Sequence, residues 1–255
     1  VEIDYERRFG GIKRLYGQEG AKKIRHAHVC VVGVGGVGSW IVEALARSGV
    51  GRITAVDLDM VAESNINRQI QALENTIGQA KVDAIAERVE GINPECQFTS
   101  IEDFVTPENA CEILDRGYSV VVDAIDQVRT KAAMISLCKS RDIPIIVAGA
   151  AGGQIDPTKI LISDLSTTTQ DPLLAKVRSI LRREYGFPRD IKKRFGIPAV
   201  FSTEPLRYPD NAGECTTDRG PMGLACAGFG SSICVTACFG MVAAGHTVNL
   251  ITGNK

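Results

Sequence analysis

Apolar residues recur along this chain with two alternating periods. Short β-branched runs at His28–Val32, Arg52–Val56 and residues 96–101, 119–124 and 144–148 read as strands buried on both faces. Between them, residues 39–47, 77–89, 109–114 and 128–139 place their apolar side chains at helical spacing. Strand and helix in strict alternation predict a mostly parallel sheet with helices on both faces. The pattern changes after Gly149: residues 154–163 predict an added antiparallel strand, a polar and partly helical stretch runs to about Gly220, and residues 231–248 form an apolar helix. Residues 1–150 are expected to bind the nucleotide and residues 151–255 to form a substrate-binding extension of the same structural unit.

The junction between the first strand and the first helix of this series carries VVGVGGVGSW, residues 31–40. Backbone N–H groups at the positive end of a helix can hold a phosphate there. Gly33 permits a tight turn, Gly35 and Gly36 keep the backbone approachable, and Gly38 lets helix and strand pack closely. Asp57, about 20 residues on at the end of the second strand, is placed to hold a ribose hydroxyl. The fold class is therefore α/β, Rossmann-like and doubly wound, its mostly parallel sheet extended by antiparallel strands and followed by a C-terminal helix. On the glycine turn and Asp57 alone, NAD and ATP both fit.

Charged residues at the carboxyl ends of the strands separate the two. DLDMVAESNINRQ, residues 57–69, sets Asp59, Asn65, Arg68 and Gln69 beside the turn, with Lys81 and Asp126 following. Hydride transfer has no evident use for such a set around a pyrophosphate. Attack by a carboxylate on the α-phosphate of ATP does, because like charges must be brought together. Arg68 and Lys81 supply positive charge, and Asp126 can hold a Mg²⁺ ion over the phosphate oxygens. Taken singly, Arg68 and Lys81 also fit solvated surface charges, and Asp126 also fits a helix cap.

Composition narrows the setting. The 255 residues are 44% hydrophobic with a net charge of −1, which by itself points to no polyanionic partner. Eight scattered cysteines and a charged start without a signal peptide predict reduced thiols in a cytoplasmic protein. No two cysteines have C-x-x-C spacing, so no structural zinc is expected. Cys226, Cys234 and Cys238 lie in an apolar small-residue run and read as buried hydrophobes.

The series GVGGVG, DLDMVAESNINRQ, IGQAKV and VVDAIDQ resembles the ubiquitin-activating-enzyme-like superfamily, which includes bacterial enzymes that adenylate sulfur-carrier proteins. The resemblance implies ATP and Mg²⁺, an acyl adenylate and a homodimer. It places Gly36 against the phosphates, Asp57 on the ribose and Asp59, Asn65, Arg68 and Gln69 around the triphosphate. Lys81 would contact phosphate and ribose, and Asp126 would bind the metal. An arginine near the N-terminus, for which Arg8 is the best match, would reach across the dimer to the γ-phosphate.

Two departures point to one branch. The zinc-binding cysteine pairs of the sulfur-carrier activators are absent, and residues 152–214 contain no cysteine for a covalent relay. Between Lys176 and Arg194 the chain carries eight basic residues, including Arg178, Arg182, Arg183, Lys192, Lys193 and Arg194, against Glu184 and Asp190. Such a cluster suits a phosphate backbone, although an ordinary solvated helix also carries charge. Together with RFGGIKRLYG and SSICVTACFGMVAA these features are similar to the branch that dehydrates threonylcarbamoyladenosine in tRNA. That likeness implies adenylation of the threonine carboxylate, then ring closure by the ureido nitrogen with release of AMP.

Alternative readings are adenylation of a ubiquitin-like sulfur carrier, NAD-dependent dehydrogenation and a non-catalytic scaffold. The sequence leaves open a monovalent cation in the site. It also leaves open a cysteine-desulfurase-type partner acting on Cys215 or Cys234, for both of which a buried thiol is the simpler reading. The run from Ser231 to Ile251 is long enough to span a bilayer. Its small residues, with no basic or aromatic flanks, predict instead a helix buried in the fold or at a dimer interface, without stable membrane insertion.

Overall fold

Strands apolar on both faces must be covered on both, and that requirement sets the layering of this molecule. The computed structural model describes residues 4–207 and 229–254. Seven strands form one sheet: β1 (His28–Val32), β2 (Arg52–Val56), β3 (Gln97–Ile101), β4 (Val120–Asp123), β5 (Ile145–Ala148), β6 (Ile160–Asp164) and β7 (Pro198–Ser202). Their order is β3-β2-β1-β4-β5-β7-β6. All neighbours run parallel except β6, which pairs antiparallel with β7 at the sheet edge.

One face is covered by α1 (Tyr5–His26), α2 (Gly38–Arg47), α3 (Lys81–Ile92) and α7 (Ile233–Thr252), whose Ile24, Ile41, Val82 and Phe239 join a single core cluster. The other is covered by α4 (Ala110–Leu114), α5 (Val128–Ser140) and α6 (Pro172–Glu184), with Ile113, Ile135 and Val177 in a second cluster. The predicted alternation is thus present, and the extension after Gly149 contributes two strands to the same sheet.

Several predicted boundaries move for local reasons. The helix expected from residue 77 begins at Lys81, because Gly78 takes φ +86° and residues 78–80 pair back onto Met60 and Val61. The strand expected from residue 154 begins at Ile160, after a 3-10 turn started by Pro157 and capped by Asp156. Helix α1, kinked at Gly17, and strand β7 were not foreseen.

Helix α7 is the one described helix long and apolar enough to cross a membrane. It lies against α1, α2 and strands β4 to β7, with Ala243 and Val248 in the core. Its small residues do what their size predicts: a side chain at Gly240 would come within 2.7 Å of Trp40 Cβ on α2. Cys234 departs from expectation. It sits exposed in the first turn of α7, beside the Ser232 cap, rather than in the core. Cys215 and Cys226 fall outside the described residues.

Candidate functional site

In this strand order the direction of winding reverses at β1, so a crevice opens between the carboxyl ends of β1 and β4. A cavity of about 590 Å³ lies there, walled by the glycine turn, residues 57–69, the 124–127 loop after β4 and the 149–152 loop after β5. Gly33 needs its freedom, since its φ is +85°. Gly38 is required by contact, because a Cβ there would stand 1.7 Å from the Gly33 carbonyl oxygen.

Of the predicted nucleotide residues, Gly33, Gly35, Gly36, Asp57, Asp59, Asn65, Arg68, Gln69, Lys81 and Asp126 all line this cavity. Gly38 lies behind it and shapes the turn. The buried Asp57 carboxylate braces that turn, accepting from Val34 N–H at 2.8 Å and from Asp59 N–H at 2.9 Å. Asn65 Oδ1 accepts from Ala62 N–H at 3.1 Å. Gly36 serves Arg68 as much as any ligand: a Cβ there would press on Arg68 Cδ at 3.2 Å. The Arg68 guanidinium donates to the Ser64 carbonyl at 2.7 Å and to Asn67 Oδ1 at 2.8 Å. Its own carbonyl accepts from the Trp40 indole N–H at 2.9 Å.

Lys81 Nζ lies 2.7 Å from Asp59 Oδ2, with the lysine almost covered and the aspartate open to the cavity. Asp126 is exposed on the opposite wall with no hydrogen-bond or ion-pair partner among the described residues. No three His, Cys, Asp or Glu side chains converge among the described residues. A lone open carboxylate of this kind fits Mg²⁺ held jointly with substrate phosphates, not an all-protein cage.

Arg8 stands apart: it does not line the cavity, and its guanidinium donates to the Ile92 carbonyl at 2.9 Å. The basic residues divide into two groups. Arg178 and Arg182 share a face of α6 as their spacing predicts, yet both are used within the fold. Arg178 donates to the Thr168 hydroxyl, and Arg182 donates to the Pro188 carbonyl at 3.2 Å while lying 5.2 Å from the Phe195 ring centroid. Burial, and next the neighbouring Arg182 charge, hold the Arg178 pKa below its ordinary value. Arg183 pairs with Glu184 at 2.5 Å. Lys192, Lys193 and Arg194 are exposed and have no carboxylate within ion-pair distance among the described residues. Arg178, Arg182, Arg183 and Arg189 surround a second hollow of about 340 Å³. The first turn of the same helix, at Pro172 and Leu173, lines the nucleotide cavity.

Sequence reasoning missed three polar residues that build the walls. Gln71 Nε2 donates to the Val34 carbonyl at 2.8 Å and ties Gln69 to the glycine turn. Asp171 caps α6 and also accepts from Ala150 N–H at 2.9 Å. Lys131 is wholly enclosed beside Asp123. Asp171 follows the sequence pattern of a cap before Pro172, a usable signal; the other two have none.

The model of the ThiF family matches residues 5–255. The tRNA threonylcarbamoyladenosine dehydratase of Haemophilus influenzae is 51% identical over 253 residues, covering 99% of this chain and 96% of that protein. Its counterpart from Escherichia coli is 49% identical, covering 96% and 93%. The crystal structure of the E. coli enzyme in complex with ATP superposes with a TM-score of 0.89 at 47% identity, covering 99% of this chain and 98% of that one.

Proposed function

We start from the premise that this chain belongs to the ThiF family, and we propose that it dehydrates threonylcarbamoyladenosine beside the anticodon of tRNA, using ATP. The observation that carries this reading is one cavity holding Asp57, Arg68, Lys81 and Asp126, from whose rim a helix lined with arginines leads away. The relatives' names and the ATP complex supply the substrates.

A carboxylate resists substitution because its leaving group would be oxide. Attack of a carboxylate oxygen on the α-phosphorus of ATP breaks the bond to the β-phosphate, expels pyrophosphate and leaves a mixed anhydride whose leaving group is AMP. Arg68 and Lys81 offset the approach of two anions, the second by exchanging its Asp59 partner for a phosphate oxygen. Asp126 would hold magnesium together with the phosphates, and the ion would supply charge neutralisation there. The ureido nitrogen of the same nucleoside then closes a ring, and its high effective molarity removes any need for a cysteine relay. Residues 152–214 contain no cysteine for such a relay.

Residues 1–150 supply the nucleotide site in this reading, and Arg8 supplies a γ-phosphate contact to the partner of a homodimer. Exposed Met60, Ile66, Ile233 and Met241 support such pairing. Residues 151–255 hold the RNA, chiefly through Lys192, Lys193 and Arg194, with Arg178, Arg182 and Arg183 shaping the hollow beside them. The setting is the cytoplasm, where tRNA and ATP are available, and α7 serves there as a core and interface helix. Among the described residues Cys111 and Cys234 are exposed, and Cys234, in the first turn of α7, is open to a sulfur-transfer partner.

The test incubates the protein with MgATP and tRNA carrying the modification, then weighs the digested nucleosides. Loss of one water from threonylcarbamoyladenosine, with AMP released, is expected. An unchanged nucleoside mass would overturn the proposal, and AMP transfer to a ubiquitin-like carrier would favour the sulfur-carrier alternative.

A further inference from the structure

One ammonium group close to the cavity has no exposed surface and no role in the chemistry above. Lys131 Nζ lies 2.8 Å from Asp123 Oδ1 and 3.4 Å from the Asp123 carbonyl oxygen, and neither side chain is exposed. Enclosing such a pair is costly, so its retention calls for a use beyond holding two elements together.

Its connections show the use. Asp123 ends β4, and its Oδ1 also accepts from Ile125 N–H at 3.1 Å, which bends the 124–127 loop carrying Asp126. Asp171 accepts from Ala150 N–H and Leu174 N–H, each at 2.9 Å, which fastens the 149–152 loop to the start of α6. Gly149 leaves room for this: a Cβ there would fall 2.0 Å from Asp171 Oδ2. Burial raises the carboxyl pKa of both Asp123 and Asp171, and the charge of Lys131 opposes the rise in both. By direct contact, the Lys131 ammonium neutralises the anionic anchor of the wall that carries Asp126. Asp123 Oδ2 is buried without a partner among the described residues, so the carboxylate's contacts all run through Oδ1.

We propose that Lys131 is a positioning residue: through Asp123 it sets the placement of the loop bearing Asp126 across the cavity. The proposal rests on the cavity being the MgATP site. Its effect reaches the reaction through the placement of Asp126, for which errors near 1 Å cost about 100-fold in rate.

The experiment uses the full chain with MgATP and modified tRNA, and measures thermal midpoint, MgATP binding by calorimetry, and the rate of AMP formation against magnesium concentration. Lys131→Met is expected to lower the midpoint. The neutral pair Asp123→Asn with Lys131→Met is expected to regain most of it, yet to stay about tenfold or more below wild type in rate, with a higher magnesium requirement and an unchanged KM for tRNA. Wild-type rate and magnesium dependence in the folded double variant would overturn the proposal alone. Failure of the wild-type protein to bind MgATP would overturn the site reading and this inference with it.

Discussion

Two lysine–aspartate pairs flank the cavity at nearly the same distance, Lys81–Asp59 at 2.7 Å and Lys131–Asp123 at 2.8 Å. Their surroundings differ completely. Asp59 is 55% exposed, so water and any incoming anion compete for Lys81, whereas both members of the other pair are 0% exposed. An open pair stabilises a fold little, and can exchange partners at little cost. A sealed pair cannot exchange, and losing one member strands the other's charge. The same contact thus serves as a replaceable placeholder on one wall and as a fixed spacer beneath the other.

Breaking the sealed pair is the strongest test of that contrast. Lys131→Met is expected to cost about 3–5 kcal/mol of unfolding free energy, measured by urea denaturation. A loss below about 1 kcal/mol, the range of exposed pairs, would erase the distinction. Asp126→Ala comes next: AMP formation should fall about 100-fold or more with no change in thermal midpoint, since Asp126 has no partner to lose. A destabilised variant would show that Asp126 is a structural cap instead.

Lys81→Met sharpens the other half of the contrast. Stability should change by no more than about 1 kcal/mol, while the KM for ATP rises by about tenfold, consistent with loss of one charge-assisted contact. The smallest effect is expected far from both pairs. Replacing Lys192, Lys193 and Arg194 with Gln should flatten the salt dependence of tRNA binding by about 2 to 3 units of slope, leaving MgATP affinity unchanged. An unaltered slope would remove these residues from the RNA surface.

The open pair was legible in the sequence and the sealed one was not, for a physical reason. Asp57, Asp59, Arg68 and Lys81 follow a glycine turn whose geometry is local, so spacing along the chain brings them together. Lys131 sits in a helix where a lysine ordinarily points to solvent; only the sheet beside it and α6 packed across it enclose it. The same holds for the fold. Strands β1, β2, β4 and β5 announce themselves by continuous apolar runs, whereas in β7 the run is short, opens on Pro198 and lies among polar neighbours, and its place is defined by insertion between β5 and β6. Helix α1 was hidden by Gly10, Gly11 and Gly17, which dilute its apolar positions to Phe9, Ile12, Tyr16 and Ile24. Arg178 and Arg182 show the converse error: their spacing was right, but Thr168 and Pro188 already occupy them.

Trp40 is the only tryptophan in the chain, and its indole N–H is bonded to the carbonyl of Arg68. The protein therefore contains its own optical gauge. Excitation selective for indole reports on one bond, at the back of the segment that turns a guanidinium toward the cavity. Any ligand that shifts this segment changes emission wavelength and intensity without a label, so such binding can be timed in a stopped-flow instrument on the unmodified chain.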